Sequence, residues 1–147
     1  MAGFERHADV VWQGGLKDGK GEAKAGTGAF ALPVTFPSRI ESPDGRTSPE
    51  ELIAAAHASC YAMALSATLG RQNASAERLD ITATVQADLG EGGIKIHTSR
   101  LRVKATGLKG VDAAKFPDVA REAEGKCPVS NALRGSLKIE VEASAQG

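Results

Sequence analysis

The second half of the chain alternates apolar and polar residues in three stretches, which predicts three β-strands. Every second position is apolar from Ile81 to Leu89 and again from Leu137 to Ala143. A further strand is predicted from Ile94 to Ala105. Its apolar positions change parity on the way, so we expect a β-bulge near residues 99–100. The glycines of segment 90–93 predict a hairpin turn between the first two strands.

A long apolar helix is predicted before these strands. Ser48 is a suitable N-cap, Pro49 fits the first helical position, and Glu51 completes a capping box. The apolar run continues to about Leu69, and Gly70 predicts the end of the helix.

The remaining elements are shorter. Residues 8–36 predict an antiparallel meander, followed by a polar loop over 38–47. A helix is predicted over 111–126, and another short helix begins at Pro128. Together these elements predict an α+β fold in which antiparallel sheets wrap around the central helix, as a single domain over 1–147.

The segment from Leu52 to Leu69 carries no formal charge and is about as long as a membrane span. It is rich in alanine, which buries little area, and it contains His57, Ser59 and other polar groups. The segment is therefore better interpreted as the buried central helix of a soluble fold, with no membrane partner.

Charge and composition exclude several function classes. The 147 residues include 18 Lys and Arg against 18 Asp and Glu, so there is no basic surface for nucleic acid or anionic lipid. The first ten residues are charged early and lack an apolar segment typical of a secretory signal. Two cysteines in such a chain favour a cytoplasmic location, where a disulfide is more often catalytic than structural.

The two cysteines lie in different contexts. Cys60 is in the middle of the predicted central helix, whereas Cys127 immediately precedes the short helix. A cysteine reacts as its thiolate. Cys60 is too far from the start of its own helix to benefit from it, and burial would raise its pKa. Cys60 is therefore either an inert core thiol or a nucleophile that needs a cation from elsewhere.

His57 precedes Cys60 by three positions and could act as its base in a cysteine hydrolase. A satisfied core histidine is the more common role for such a residue. The chain has three histidines and no CxxC or HxxxH spacing, so we do not expect a metal site.

Four segments resemble one known family. SPEELIAAAHASCYAMAL and CPVSNAL are similar to the two cysteine motifs of the OsmC/Ohr organic hydroperoxide reductases. VVWQGGLKDGKGEA and FPSRIESPDGRTSPEEL are similar to the OsmC branch. The resemblance implies a homodimer with antiparallel sheets around two central helices. It also implies that thiols, without a metal, flavin or other cofactor, reduce organic hydroperoxides and more weakly hydrogen peroxide in stress defence. The usual reductant of the family is a dihydrolipoyl group.

The resemblance also implies roles for four residues. Cys60 corresponds to the peroxidatic cysteine and Cys127 to the resolving one, while Arg39 corresponds to the activating arginine and Glu50 to the carboxylate that holds it. A guanidinium can face a carboxylate and a thiolate together. An equally supported role for Glu50 is structural, because the helix dipole favours an acidic residue in the first turn. Arg46, in the same loop, is the other candidate for the activating arginine. Either arginine could instead be a solvated surface charge.

Three functions therefore stay open on the sequence. The first is a two-cysteine peroxidase, and the second is an acyl hydrolase that uses Cys60 and His57. The third is a non-enzymatic, stress-related ligand-binding protein with inert thiols.

Overall fold

A computed structural model of the protein describes residues 2–147. The chain forms two compact units, one ending at Pro49 and the other running from Glu50 to Gly147. The expectation of a single domain over the whole chain stays a prediction.

The first unit contains a three-stranded antiparallel sheet, as the meander pattern predicts. Its strands are β1 (Ala8–Gln13), β2 (Lys20–Ala25) and β3 (Ala31–Val34), in the order β1-β2-β3. Trp12 of β1 is paired with Gly21 of β2. A Cβ atom at position 21 would lie 2.7 Å from the Trp12 ring, so glycine allows the indole to lie on the neighbouring strand.

A short helix, α1 (Phe36–Ile40), follows β3 and was missed by the sequence analysis. We predicted the end of a strand and then a loop here. Thr35 is the N-cap, its hydroxyl accepts from the Ser38 amide, and the Ser38 side chain bonds back to the Thr35 amide. The sequence signal was this Thr-x-x-Ser spacing with an early proline.

The long helix α2 spans Pro49–Arg71, close to its predicted bounds. Gly70 does not end it. The helix continues to Arg71, and the chain then leaves it through Asn73, whose φ of 54° is a left-handed conformation that asparagine tolerates. The buried positions of α2 are His57, Tyr61, Leu65, Thr68 and Leu69.

The second sheet has the order β4-β5-β6, with β4 at Arg78–Gly90, β5 at Gly93–Thr106 and β6 at Lys138–Ala145. Strands β4 and β5 form the predicted hairpin. The expected bulge is present but lies at His97, because Gln86 pairs with Thr98 and Ala87 with Ile96.

One expectation about this sheet is wrong: β6 pairs with β5 in parallel, so the sheet is mixed rather than antiparallel. The long connection from β5 to β6 contains a 3₁₀ turn (Ala113–Lys115), α3 (Phe116–Gly125) and α4 (Pro128–Leu133). A helical crossover of this kind returns the chain to the same end of the sheet, so that the next strand runs in the same direction.

The α+β class itself is confirmed, and the core of the second unit joins its helices to its sheet. Fully buried side chains from α2, β5 and α3 pack there: Tyr61, Leu65, Leu101, Phe116 and Ala120. Cys127 belongs to the same cluster.

Within residues 2–147, α2 is the one helix long and apolar enough to cross a membrane. Only 28% of its most apolar window is buried. Its exposed positions include Ala55, Ser59 and Met63. The described chain therefore covers one side of α2 rather than all of it.

Candidate active site

The fold places the two cysteines near one another but not at the distance of a disulfide, and 66 residues separate them along the chain. Cys60 is half-buried on α2, and Cys127 is fully buried at the N-cap of α4. Both are free thiols, and no disulfide joins them. The Cys127 thiol is nevertheless a hydrogen-bonding and electrostatic neighbour of the Cys60 sulfur.

Three influences set the acidity of Cys60. Burial raises its pKa most, and the neighbouring Cys127 also raises it. The backbone N–H of Val129, in the first turn of α4, donates to the Cys60 sulfur and lowers the pKa. The net pKa of Cys60 lies above the ordinary value for cysteine.

The role of Val129 was not predicted from the sequence. Cys60 lies too far from the start of its own helix to gain a hydrogen bond there, as expected, but the start of another helix supplies an amide. The signal was the predicted helix beginning at Pro128, since the first amides of a helix lack partners within it. Nothing in the local pattern indicated that these amides approach α2.

A hydrogen-bond network holds the segment around Cys127. The Cys127 N–H donates to the Glu124 carbonyl at 3.2 Å, and the Cys127 carbonyl accepts from the Asn131 amide at 3.0 Å. The nearly buried Glu124 carboxylate accepts from Arg134 at 2.7 Å. Asn131 also donates its side-chain amide to the Gly125 carbonyl at 3.2 Å.

His57 is fully buried, and both of its ring nitrogens are hydrogen-bonded. Nδ1 lies 2.6 Å from the Ser99 hydroxyl on β5, and Nε2 lies 2.7 Å from the Ser130 hydroxyl on α4. Burial lowers the pKa of His57, and the Glu124 carboxylate offsets part of that effect. His57 is therefore the satisfied core histidine that the sequence favoured, and it is neutral at pH 7.

This geometry weakens the hydrolase hypothesis. A general base toward Cys60 needs a ring nitrogen within hydrogen-bond reach of the thiol. Both nitrogens of His57 are bonded to Ser99 and Ser130 instead.

Tyr61, beside Cys60 on α2, is also buried. Its hydroxyl donates to the Ala120 carbonyl at 2.8 Å. Burial raises the pKa of the Tyr61 phenol, with further contributions from Glu124 and Cys127, so Tyr61 is protonated at neutral pH.

Arg39 and Glu50 occupy element ends, and each is half-buried. Arg39 lies in the last turn of α1, and Glu50 lies in the first turn of α2. Arg46 is exposed, and its guanidinium contacts the Asp44 carbonyl at 3.5 Å, the outer limit of a hydrogen bond. The approach of Arg39 and Glu50 to Cys60 stays a prediction.

Residues 2–147 contain no group of three or more His, Cys, Asp or Glu side chains placed to hold a metal ion.

An α+β fold with two adjacent free thiols defines a class of thiol proteins, and comparison with known sequences narrows it. The profile of the family described as "OsmC-like protein" matches residues 42–142. Peroxiredoxin OsmC of Escherichia coli (strain K12) is 36% identical over 140 residues, which is 95% of this chain and 96% of that protein. The chain belongs to the OsmC-like protein family.

Solved structures agree with this assignment. The organic hydroperoxide resistance protein OhrB of Bacillus subtilis is similar with a TM-score of 0.73 and 28% identity, covering 94% of this chain and 98% of that one. An organic hydroperoxide resistance protein OsmC from Legionella pneumophila gives a TM-score of 0.73 at 25% identity, covering 94% and 96%. The resemblance seen in the sequence motifs is confirmed.

Buried His57 predicts a pH-dependent stability. Because its folded pKa is lowered, the unfolded chain binds a proton more readily as pH falls below about 6.5. The contribution of neutral His57 to the free energy of unfolding is therefore complete above that pH, and it is lost as the pH falls through the folded pKa. Urea unfolding between pH 7.5 and 5.5 should show this decline. In the His57→Gln variant the free energy of unfolding should depend less steeply on pH than in the wild type. An equal dependence in the two proteins would contradict a lowered pKa of His57.

Proposed function

We propose that this chain is a two-cysteine peroxidase that reduces organic hydroperoxides, and more weakly hydrogen peroxide, in oxidative and osmotic stress defence. The observation that carries the proposal is the position of Cys127 and the Val129 amide at the Cys60 sulfur. A nucleophilic thiol needs a stabilised thiolate and, for a disulfide, a second thiol within reach. Relatives named as a peroxiredoxin and as hydroperoxide resistance proteins support the peroxide as substrate.

The proposed reaction has two steps. The Cys60 thiolate attacks the terminal oxygen of the hydroperoxide, and the O–O bond breaks. The departing alkoxide takes a proton to become the alcohol, which leaves Cys60 as a sulfenic acid. The Cys127 thiolate then attacks the Cys60 sulfur, and the sulfenic hydroxyl leaves as water after protonation. The product is a Cys60–Cys127 disulfide.

A dithiol, of the dihydrolipoyl type, is proposed to return the disulfide to two thiols. Its first sulfur forms a mixed disulfide with the protein, and its second displaces the protein thiol within the same molecule. No metal, flavin or other cofactor takes part in this scheme.

We also propose that the chain acts as a cytoplasmic homodimer, without a membrane or nucleic-acid partner. The uncovered apolar positions of α2, such as Met63 at 72% exposure, favour a partner surface. Sedimentation equilibrium measures the mass of the assembly, and cell fractionation measures its location.

The cysteine roles are tested by substitution. Cys60→Ser should abolish peroxide reduction, because the attacking sulfur is gone. Cys127→Ser should react once and accumulate oxidised Cys60, which excess peroxide carries to the sulfinic state. Stopped-flow peroxide consumption and intact mass follow both variants. An active Cys60→Ser with an inert Cys127→Ser would reverse the roles, and inertness of the wild type would favour the ligand-binding alternative.

The reductant is tested by matched turnover. Dihydrolipoamide should regenerate the enzyme much faster than glutathione, because its second thiol acts at high effective concentration. Initial rates at equal thiol concentration give the comparison. Equal rates with the two reductants would argue against a dithiol-specific step.

Arg39 and Glu50 are tested by the ionisation of Cys60. Arg39→Ala should raise the pKa of Cys60 and slow peroxide attack about 10²- to 10³-fold, as is typical for removal of one preorganised electrostatic donor. Arg39→Lys should restore little of the lost rate, because the lysine ammonium lacks the planar array of donors of a guanidinium. Glu50→Gln should cost less than Arg39→Ala, since the cation is retained.

The measurement is the pH dependence of Cys60 alkylation in a Cys127→Ser background, with Arg46→Ala as the matched control from the loop beyond α1. An Arg39→Ala variant with an unchanged pKa and rate would transfer the role to another cation, with Arg46 the first to examine.

A further inference from the structure

Three fully buried polar residues connect α2 and α4, the two helices at which the cysteines lie, with the core strand β5. His57 of α2, Ser99 of β5 and Ser130 of α4 are each 0% exposed. The imidazole bridges the two hydroxyls, with distances of 2.6 and 2.7 Å. A single side chain therefore joins a core strand to two helices through short hydrogen bonds.

The spacing of these residues relates them to the thiols. His57 precedes Cys60 by three positions on α2, and Ser130 follows Cys127 by three positions at α4. Residues three apart on a helix lie on neighbouring positions of one face. The hydrogen bond from His57 to Ser130 thus lies about one helical turn from each of the two thiols.

Other side-chain hydrogen bonds of this region lead to α3 rather than to α2. Asn131 donates to Gly125, and Arg134 donates to Glu124. These bonds fix α4 relative to the helix before it. The bond from His57 fixes α4 relative to the helix that contains Cys60.

We infer that His57 is a positioning residue for the two-cysteine site: its hydrogen bond to Ser130 holds the first turn of α4 against α2. The Val129 amide and the Cys127 thiol are thereby kept at the Cys60 sulfur. The bond from Ser99 orients the ring from β5 and makes no link to α4. This inference rests on the proposed function for its role in catalysis, but its geometry can be tested without a peroxide.

The alternative is that His57 is an ordinary core residue whose loss merely destabilises the fold. Ser99→Ala and Ser130→Ala separate the two roles, because each leaves one nitrogen of the buried ring without its hydroxyl. Their costs in stability should therefore be similar. Only Ser130→Ala removes the link to α4.

The first measurement is the pH dependence of Cys60 alkylation, in a Cys127→Ser background. The second is the rate of Cys60–Cys127 disulfide formation with diamide, which takes up the two thiol hydrogens, in the chain with both cysteines. Ser130→Ala should lower the thiolate fraction of Cys60 at neutral pH and slow the disulfide by about three- to tenfold, the factor that one net hydrogen bond represents. Ser99→Ala should stay within about twofold of the wild type.

Substitutions of His57 itself provide a second test, which decides the matter if Ser130→Ala does not fold. The amide of glutamine can reach the position of Nε2, whereas that of asparagine reaches only the position of Nδ1. The thiolate fraction of Cys60 and the rate of disulfide formation should therefore be closer to the wild-type values in His57→Gln than in His57→Asn. Equal effects within each pair of variants would overturn the inference.

The outcomes for the inference and for the proposed function are distinguishable. Alkylation and diamide oxidation involve no peroxide. A wild-type protein that fails to consume hydroperoxides would refute the proposed function, while the two pairs of variants would still decide the role of His57.

Discussion

The contact on which the site depends is between the first turn of α4 and the middle of α2. A thiol in the interior of a helix has no free backbone amide of its own helix nearby. Val129 supplies one from another element, and the same turn of chain carries Cys127. One packing contact therefore provides both the polar partner of the Cys60 sulfur and a second sulfur for it.

This contact is built largely from buried polar groups. His57, Ser99 and Ser130 are fully buried, and Glu124 is nearly so. Each of them has a hydrogen-bond partner, which is the condition under which burial of such groups is tolerated. In a low-dielectric interior these bonds are stronger than in water, and a broken one is costly. The region around the thiols is therefore expected to be rigid, as a site with defined geometry requires.

Much of the fold could be predicted because its signals are local. The capping residues and apolar run define α2, and period-two alternation defines β4 and β6. The parallel pairing of β6 could not be predicted in this way. Alternation identifies the buried face of a strand, but the direction of its neighbour depends on the path of the whole connection. The short helix α1 was not predicted because Pro33 and Pro37 favour an edge strand or an irregular stretch, and this signal outweighed the capping box.

The same distinction applies to the site. The pairing of Cys60 with Cys127 was implied by the resemblance of their motifs, and it stays a prediction, although Cys127 lies near enough to raise the pKa of Cys60. The partners of His57 were not expected, since Ser99 lies 42 residues away and Ser130 lies 73 away. Serine is common at exposed positions, and nothing in the sequence near either residue indicates burial. Hydrogen bonds between distant segments become visible only when the tertiary packing is known.

The opposing influences on Cys60 bear on its reactivity. Burial and Cys127 raise its pKa, and one backbone hydrogen bond only partly compensates. Together these influences leave Cys60 mostly as a thiol at neutral pH. A raised pKa has a compensating advantage, because the thiolate that does form is intrinsically more nucleophilic. A cation that stabilises the thiolate increases its population at some loss of that nucleophilicity. Rapid attack on a peroxide then requires that the cation also stabilise the negative charge that develops on the departing oxygen, which a guanidinium with several donors can do.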